Sequence, residues 1–280
     1  MSSTLLWGKL CKRLRKRVNQ FAGVMGVSVK DIQGGLAVSV NGGEIFPTAS
    51  TIKIHVLTEL LAKAERGELD LAENIRVTKD LHVPGSGVLA SMENEVTMSV
   101  LDIAVLMITV SDNTATNMCI DMAGIDDTNA LLDALGLKQT RLRRKMQDKD
   151  AVLRNDENVS TPDECVAMLE HLEAGRPSPW TASQCLSILK KNKLSPLTSS
   201  IPPGITIANK PGAMDRVRCD AGIVYLPNRP YAIAVMTKFN LDNPHMVDHS
   251  VADVIDVIHE TMMSLDKTNN FGLGVPQYRP

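Results

Sequence analysis

The sequence predicts an α/β (α+β) protein: an antiparallel five-stranded sheet flanked by N- and C-terminal helices, with an inserted all-helical lobe. Three observations lead to this fold class. Strand-like patterns occur near both ends of the chain, the long middle stretch has a helical period, and an amphipathic helix follows the last strand. Because the strands lie on both sides of a helical stretch, we expect them to join in one sheet.

The N-terminal part of the chain predicts a helix followed by a β-hairpin. Leucines at helical spacing, with basic residues between them, predict a terminal helix whose basic face is solvated, in preference to a helix lying on a membrane surface. Residues 23–31 and 35–40 then have strand patterns. Gln33, Gly34 and Gly35 form the predicted turn between them.

The middle of the chain predicts a succession of amphipathic helices. From Ser50 the apolar residues follow a helical stripe as far as Ala64, and Gly67 supplies a stop signal. Further helices are predicted over residues 97–109, 113–122, 127–135, 161–173 and 181–190.

The C-terminal part returns to a strand pattern and ends in a long helix. Strands are predicted over residues 205–209, 221–226 and 231–239, and the helix extends from Val247 to Met262. We therefore expect three segments of structure. They are an α/β sheet lobe of residues 1–47 and 204–266, an all-helical lobe of residues 48–203, and an irregular tail of residues 267–280.

Composition limits the classes of function. A content of 44% apolar and 22% charged residues is typical of a globular protein, and a net charge of −2 gives no general attraction to nucleic acid. No apolar run has the length of a membrane span. Five cysteines without CxxC spacing predict free thiols rather than disulfides or zinc ligands. With no export signal in view, we expect a cytoplasmic protein without metal or cofactor.

Ser50 and Lys53 form an S-x-x-K pattern at the start of a predicted helix. The positive end of the helix dipole favours a developing alkoxide, and a spacing of three places the lysine on the same face as the serine. The pattern alone is not specific, because Ser187 with Lys190 and Ser264 with Lys267 repeat it. Ser50 by itself also fits an ordinary helix cap.

Two further motifs distinguish Ser50 from the other serines. Ser111-Asp112-Asn113 stands at the junction of two predicted helices, and Lys210-Pro211-Gly212 stands at the end of a predicted strand. S-x-x-K, S-D-N and K-x-G in this order resemble the class A β-lactamases, the penicillin-binding proteins and the wider superfamily of β-lactamase-like serine hydrolases. The resemblance covers roughly residues 20–265 and includes the order of strands and helices.

The resemblance implies a role for each motif residue. Ser50 attacks a carbonyl carbon, and Lys53 accepts the serine proton, directly or through water. Ser111 passes a proton to the leaving group, Asn113 binds substrate and Lys53, and Lys210 adds positive potential.

The remaining implied residues bind the substrate. The backbone N–H groups of Ser50 and Ala213 form an oxyanion hole, and Gly212 lies beside them. Apart from the resemblance, Arg216 and Arg218 are expected to pair with a substrate carboxylate and so to compensate for Pro211, which lacks a side-chain hydroxyl.

Two departures from the family pattern bear on the substrate. The loop carboxylate that activates the deacylating water in the β-lactamases aligns with Met146. Two alternatives stay open: Asp148 or Asp150 substitutes for it, or deacylation relies on Lys53 and Ser111, as in esterase- or peptidase-like relatives. Pro211 replaces a residue with a hydroxyl group and also lacks an N–H donor. An amide (β-lactam) and an ester of a small molecule therefore both stay open as the substrate.

Three other functions stay open beside a β-lactamase-like hydrolase. One is a cytoplasmic carboxylesterase or amidase without lactamase activity. The second is a penicillin-binding-like receptor that is acylated at Ser50 and does not turn over. The third is a binding module that has kept the fold. The sequence predicts neither a nucleic-acid partner nor an oligomeric state.

Overall fold

The computed structural model describes residues 2–269 and 271–275, with side chains from Thr4 onward. The chain separates into two compact units. The first, here called the sheet unit, consists of the described residues of Met1–Ala49, Thr161–Glu170 and Leu194–Pro280. The second, here called the helical unit, consists of Ser50–Ser160 and His171–Lys193.

Strands and helices follow one another along the described residues in an order close to the predicted one. The strands are β1 (Val24–Asp31), β2 (Ala37–Val40), β3 (Phe46–Pro47), β4 (Asn74–Val77), β5 (Val96–Ser99), β6 (Val159–Ser160), β7 (Thr206–Met214), β8 (Val217–Tyr225) and β9 (Tyr231–Lys238). The α-helices are α1 (Ser2–Gln20), α2 (Lys53–Glu65), α3 (Val100–Thr109), α4 (Asn113–Ala123), α5 (Ile125–Ala134), α6 (Lys149–Leu153), α7 (Pro162–Glu173), α8 (Pro179–Leu189), α9 (Pro196–Ser200) and α10 (Pro244–Asp266).

The sheet unit is built on one antiparallel sheet with the strand order β2-β1-β9-β8-β7. Strands β1, β9 and β8 lie inside the sheet. Of these, β1 and β9 are buried along almost their whole length, whereas the edge strand β2 alternates between exposed and half-buried residues. Val27 of β1 lies opposite Val40 of β2 and Val235 of β9. The predicted fold class, an α/β protein with a five-stranded antiparallel sheet, is confirmed.

The first and last helices share one apolar core with the sheet. Leu14 of α1, Val235 of β9 and Ile258 of α10 are all buried in it. An ion pair between Arg13 and Glu260, at 2.9 Å, joins the two helices at the surface. Alternate residues of a strand face opposite sides of the sheet, so Met236 of β9 lies on the face opposite to Val235. There its sulfur is 3.8 Å from the sulfur of Cys165 on α7.

The helical unit has α2 at its centre. Ten consecutive residues of this helix, from Lys53 to Ala62, are buried, which requires neighbours on all sides. Helices α4, α5 and α8 pack against it. The unit also contains a small antiparallel hairpin of β4 and β5, which the sequence patterns did not predict.

Several predicted boundaries differ from the structure. Strand β8 begins at Val217 instead of residue 221, and residues 97–99, predicted as the start of a helix, belong to β5. Two further differences concern candidate site residues. Strand β7 continues to Met214, so Lys210, Pro211 and Gly212 lie within a strand and not at its end. Helix α2 begins at Lys53, and Ser50 lies in a 3₁₀ turn, Ala49–Ile52, that precedes it. Both differences affect the position of candidate site residues.

In the predicted tail, residues 270 and 276–280 lie outside the described residues, and an isolated bridge joins Thr268 to Gly274. Among the described helices, none combines the length and the apolar character that a bilayer span requires.

Candidate active site

Ser50 occupies the 3₁₀ turn directly before α2. The residue before it, Ala49, has a φ of 45°, a left-handed conformation that is uncommon outside glycine and marks a tight turn. Ser50 itself is half-buried, so the residue keeps some contact with solvent. The turn thus presents this serine one turn ahead of the buried Lys53.

Lys53 is fully buried and its ammonium group binds the segment at the start of α4. Its Nζ donates to the Ser111 carbonyl oxygen at 2.8 Å and to the Ser111 Oγ at 2.9 Å, and it lies 3.5 Å from the Asn113 Oδ1. The S-x-x-K and S-D-N motifs, which are about sixty residues apart in the chain, therefore meet within the helical unit.

Ser111 connects Lys53 to Ser50. The Ser111 Oγ donates to the Ser50 Oγ at 2.9 Å, and this is the only hydrogen bond of the Ser50 side chain within the described residues. Ser111 has a φ of 55°, again in the left-handed region. A continuous chain of hydrogen bonds thus links Lys53, Ser111 and Ser50, which is a path along which a proton can move.

The electrostatic environment of Lys53 favours its neutral form. Burial lowers the pKa of Lys53 to about 7, while the Asp112 carboxylate acts in the opposite direction. A lysine with a pKa near neutrality holds a large fraction of free amine at pH 7. It is then able to act as a general base.

Asp112 and the loop before α3 hold the S-D-N motif in place. Asp112 caps α4 through the Ala115 N–H at 2.9 Å, and its other oxygen accepts from the Val88 N–H at 2.6 Å and the Leu89 N–H at 2.8 Å. Asn113 is fixed through its Nδ2, which donates to the Pro84 carbonyl oxygen at 2.9 Å. The 84–89 loop is thus part of the site, although its sequence is compatible with a plain turn.

Gly87 in this loop permits the close approach to Asp112. Its φ is +111°, and a side-chain carbon at this position would overlap Asp112. We expect Gly87→Ala to lower the free energy of unfolding by roughly 2 kcal/mol or more, because it adds backbone strain to a steric clash. Gly136→Ala is the control, since Gly136 also has a positive φ, +80°, but faces open space. Urea unfolding of both variants measures the difference, and equal losses would show that the contact with Asp112 is not tight.

Lys210 and the residues after it belong to β7 in the sheet unit. Lys210 is buried, and its Nζ donates to the Pro211 carbonyl oxygen at 2.8 Å. Gly212 and Ala213 follow on the same strand, and Ala213 lies opposite Arg218 of β8. The proposed oxyanion-hole residue Ala213 is thus on an edge strand of the sheet.

The two arginines expected to bind a carboxylate already have partners inside the sheet unit. The Arg218 guanidinium contacts Asp248 of α10, with Nε at 2.6 Å from Oδ1 and Nη2 donating to Oδ2 at 3.0 Å. Arg216 donates to the Asn240 carbonyl oxygen at 3.2 Å. A substrate carboxylate would therefore compete with Asp248 for Arg218.

The candidate deacylation residues lie at the start of α6. Asp148 caps α6 through its Oδ1, which accepts from the Ala151 N–H at 2.9 Å, and Asp150 is exposed. Met146 is bound through its backbone, whose N–H donates to the Asn117 Oδ1 at 2.7 Å. Among the described residues, no cluster of three histidine, cysteine, aspartate or glutamate side chains has a metal-binding arrangement.

Comparison with known proteins agrees with this fold and site. The family model for the β-lactamase enzyme family matches residues 9–262. The chain is 27% identical to β-lactamase AER-1 of Aeromonas hydrophila, over 73% of this chain and 69% of that protein. It is 29% identical to β-lactamase CARB-4 of Pseudomonas aeruginosa, over 68% and 67% of the two chains.

Solved structures give the same result. A β-lactamase from Sphaerobacter thermophilus superimposes with a TM-score of 0.85 at 28% identity, covering 92% of this chain and 98% of that one. PBP-A superimposes with a TM-score of 0.82 at 27% identity, covering 91% and 96%. A mutant of PBP-A, also at a TM-score of 0.82, is an acyl-enzyme complex with penicillin G; its identity is 28% and the coverage is 91% and 97%.

Fold and comparisons together define a β-lactamase-like serine hydrolase. The chain belongs to the β-lactamase enzyme family, since the family model spans most of its length. The predicted resemblance to the class A enzymes is confirmed. The comparisons do not favour an esterase without lactamase activity or an acylated receptor.

Proposed function

We propose that this protein hydrolyses the amide bond of β-lactams through an acyl-enzyme at Ser50. The observation that carries the proposal is the chain of hydrogen bonds from Lys53 through Ser111 to Ser50. It connects the nucleophile, Ser50, to the base, Lys53, through the hydroxyl group of Ser111. The β-lactamases among the relatives and the penicillin complex of PBP-A support the choice of substrate.

Acylation begins with proton transfer from Ser50. The neutral amine of Lys53 accepts a proton from the Ser111 hydroxyl as Ser111 accepts one from Ser50, so the Ser50 oxygen becomes nucleophilic as it attacks the lactam carbon. Return of the proton through Ser111 to the departing lactam nitrogen completes the acyl-enzyme. Asn113, held by the Pro84 carbonyl, orients the substrate and Lys53.

Residues of the sheet unit complete the proposed mechanism. The backbone N–H groups of Ser50 and Ala213 stabilise the oxyanion, and Lys210 adds positive potential. Gly212 and Arg218 contact the substrate, with Arg218 shared between the substrate and Asp248. These roles rest on the K-x-G motif and on the family resemblance.

Release of the acyl group is the slow step in this proposal, because Met146 stands where the family has a carboxylate. We propose Asp148 as the carboxylate that assists the deacylating water. Its Oδ1 is engaged in capping α6, and its Oδ2 accepts no hydrogen bond from the described residues.

Asp148→Asn tests this assignment without removing the helix cap, since the amide oxygen still accepts from the Ala151 N–H. We expect the lifetime of the acyl-enzyme to increase by about tenfold or more, because a general base contributes at least that much. Asp150→Asn, at an exposed position in the first turn of α6, is the control. An unchanged lifetime in Asp148→Asn would remove Asp148 from the mechanism.

The activity itself is tested with two chromogenic substrates, a cephalosporin and a p-nitrophenyl ester. We expect repeated turnover of the cephalosporin. Turnover of the ester alone would indicate an esterase, and a stable adduct without turnover would indicate a receptor. Either result would contradict the proposed function.

We further propose that the protein works in a reducing compartment, the cytoplasm. All five cysteines are free, and four of them are buried. Burial raises the pKa of the thiols of Cys119, Cys185 and Cys219, which keeps them protonated and unreactive. Cell fractionation followed by detection of the protein tests this location.

A further inference from the structure

The outer face of α1 carries a row of lysines. The apolar side of this helix, which includes Trp7 and Val18, is buried in the core of the sheet unit. Lys9, Lys12 and Lys16 lie on the opposite side, because their spacing of three and four residues keeps them on one face of a helix, and all three are exposed. We call these three residues the lysine stripe.

The lysine stripe has no acidic partner among the described residues. On the side of α1 that faces α10, Arg13 pairs with Glu260 at 2.9 Å and Arg17 pairs with Asp253 at 3.5 Å. The stripe takes part in neither pair, and the exposed Arg15 adds a further positive charge beside it. A local excess of this kind attracts an anionic surface at short range, although the net charge of the whole chain is −2.

A second exposed feature follows α10. It is the loop of residues 268–275, without the undescribed residue 270, and is here called the apolar loop. The Asn269 Oδ1 accepts from the Phe271 N–H at 3.0 Å and from the Leu273 N–H at 3.1 Å. These bonds hold the loop in a turn, while the side chains of Phe271 and Leu273 are 92% and 70% exposed. Neighbouring large apolar side chains that a braced turn keeps in solvent indicate an interaction site.

The lysine stripe and the apolar loop lie at one end of the sheet unit. Helices α1 and α10 are antiparallel, since Arg13 pairs with Glu260 whereas Arg17, further along α1, pairs with the earlier Asp253. The start of α1 is therefore near the end of α10, from which the apolar loop continues. Leu5, one turn before the lysine stripe and on the same face, is 75% exposed and adds apolar surface at this end.

We propose that the lysine stripe and the apolar loop dock this end of the sheet unit on an anionic phospholipid membrane. The lysines contact the headgroups, and Phe271 with Leu273 enters the boundary between headgroups and acyl chains. A basic patch or a small apolar group alone attaches a protein only weakly, and stable attachment takes both signals. The apolar side of α1 stays in the core, so the docking is peripheral. Anionic lipids face the cytoplasm, the compartment proposed above.

The test is co-sedimentation of the full chain with two kinds of vesicle. Neutral vesicles contain phosphatidylcholine alone, and mixed vesicles contain phosphatidylcholine and phosphatidylglycerol in equal parts. We expect binding to the mixed vesicles to be at least about tenfold stronger than to the neutral ones, because each lysine at an anionic surface contributes about fivefold. Added salt should weaken this binding. No binding to the mixed vesicles, or equal binding to both kinds, would overturn the proposal.

The variant in which glutamine replaces all three lysines of the stripe should bind the mixed vesicles at least about tenfold more weakly. Glutamine favours a helix about as well as lysine does, so α1 is kept, and unfolding in urea checks this. The control combines Lys79→Gln, Lys190→Gln and Lys191→Gln, the same change of charge at exposed positions of the helical unit. It should bind as the wild type does. Equal losses in both variants would contradict a site on α1.

The combination of Phe271→Ser and Leu273→Ser tests the apolar loop. It should weaken binding to the mixed vesicles by at least about tenfold, and the loss should persist in high salt, because it removes apolar contact and no charge. Leu153→Ser with Leu194→Ser, two exposed leucines elsewhere, is the control and should bind as the wild type does. Unchanged binding of the loop variant would overturn the proposal. So would a wild-type dimer that the loop variant dissociates in the absence of lipid, since a second copy would then cover the loop.

Discussion

Replacing Ser50 by alanine is expected to lower kcat/KM for a chromogenic cephalosporin by at least about 10³-fold, because no covalent intermediate can form. From the residues that the structure describes, the side chain accepts a single hydrogen bond, that of Ser111, and Ser50 is half-buried, so the loss of one oxygen leaves the fold intact. Unfolding in urea should confirm a nearly unchanged stability. The assay is initial-rate kinetics with both proteins at the same concentration.

Ser187→Ala is the matched control for this experiment. Ser187 also precedes a lysine by three residues, but it lies exposed on α8. The variant should retain the wild-type kcat/KM. Full activity in Ser50→Ala, or an equal loss in Ser187→Ala, would refute the assignment of the nucleophile.

Lys53→Ala is expected to slow acylation by about 10²- to 10⁴-fold, the usual contribution of a general base. The pH dependence gives the sharper test. Burial lowers the pKa of Lys53 to about 7, so the neutral amine prevails above that pH and is lost below it. The acylation rate of the wild type should therefore rise with pH through about 7 and reach a plateau, and this ionisation should be absent from the variant.

Lys53→Arg separates a base from a mere positive charge. The guanidinium stays protonated at every accessible pH, so we expect this variant to be as slow as Lys53→Ala. Lys190→Ala, at the exposed lysine that follows Ser187, is the control and should behave as the wild type. Substantial activity of Lys53→Arg would contradict the role of Lys53 as the proton acceptor.

Strand and helix patterns were sufficient to predict the architecture, because the long elements bury a continuous face. The end of β7 was not predictable in the same way, since proline and glycine normally end a strand. Strand β7 lies at the edge of the sheet, where the absent N–H group of Pro211 is tolerated, so the strand continues to Met214. The short hairpin of β4 and β5 is half exposed and carries little apolar signal.

The candidate site was predicted from the order of three motifs, and the structure brings Ser50, Lys53, Ser111 and Asn113 together. The spacing of the motifs does not reveal that Ser111 connects Lys53 to Ser50. This connection depends on tertiary contacts and on an unusual backbone conformation of Ser111.

Other contacts around the candidate site are also not indicated by the local sequence. The pairing of Arg218 with Asp248 joins residues thirty positions apart. Asp112, by contrast, caps α4, which is a usual role of an aspartate directly before a helix.

The central claim is that Ser50 forms the acyl-enzyme, and mass spectrometry tests it most directly. The protein is mixed with penicillin G, quenched at a series of times, and digested. We predict an adduct of one intact penicillin molecule on the peptide that contains Ser50, which forms early, decays as the hydrolysed product appears, and is absent from Ser50→Ala. An adduct on any other residue, or product formation without an adduct at Ser50, would contradict the account.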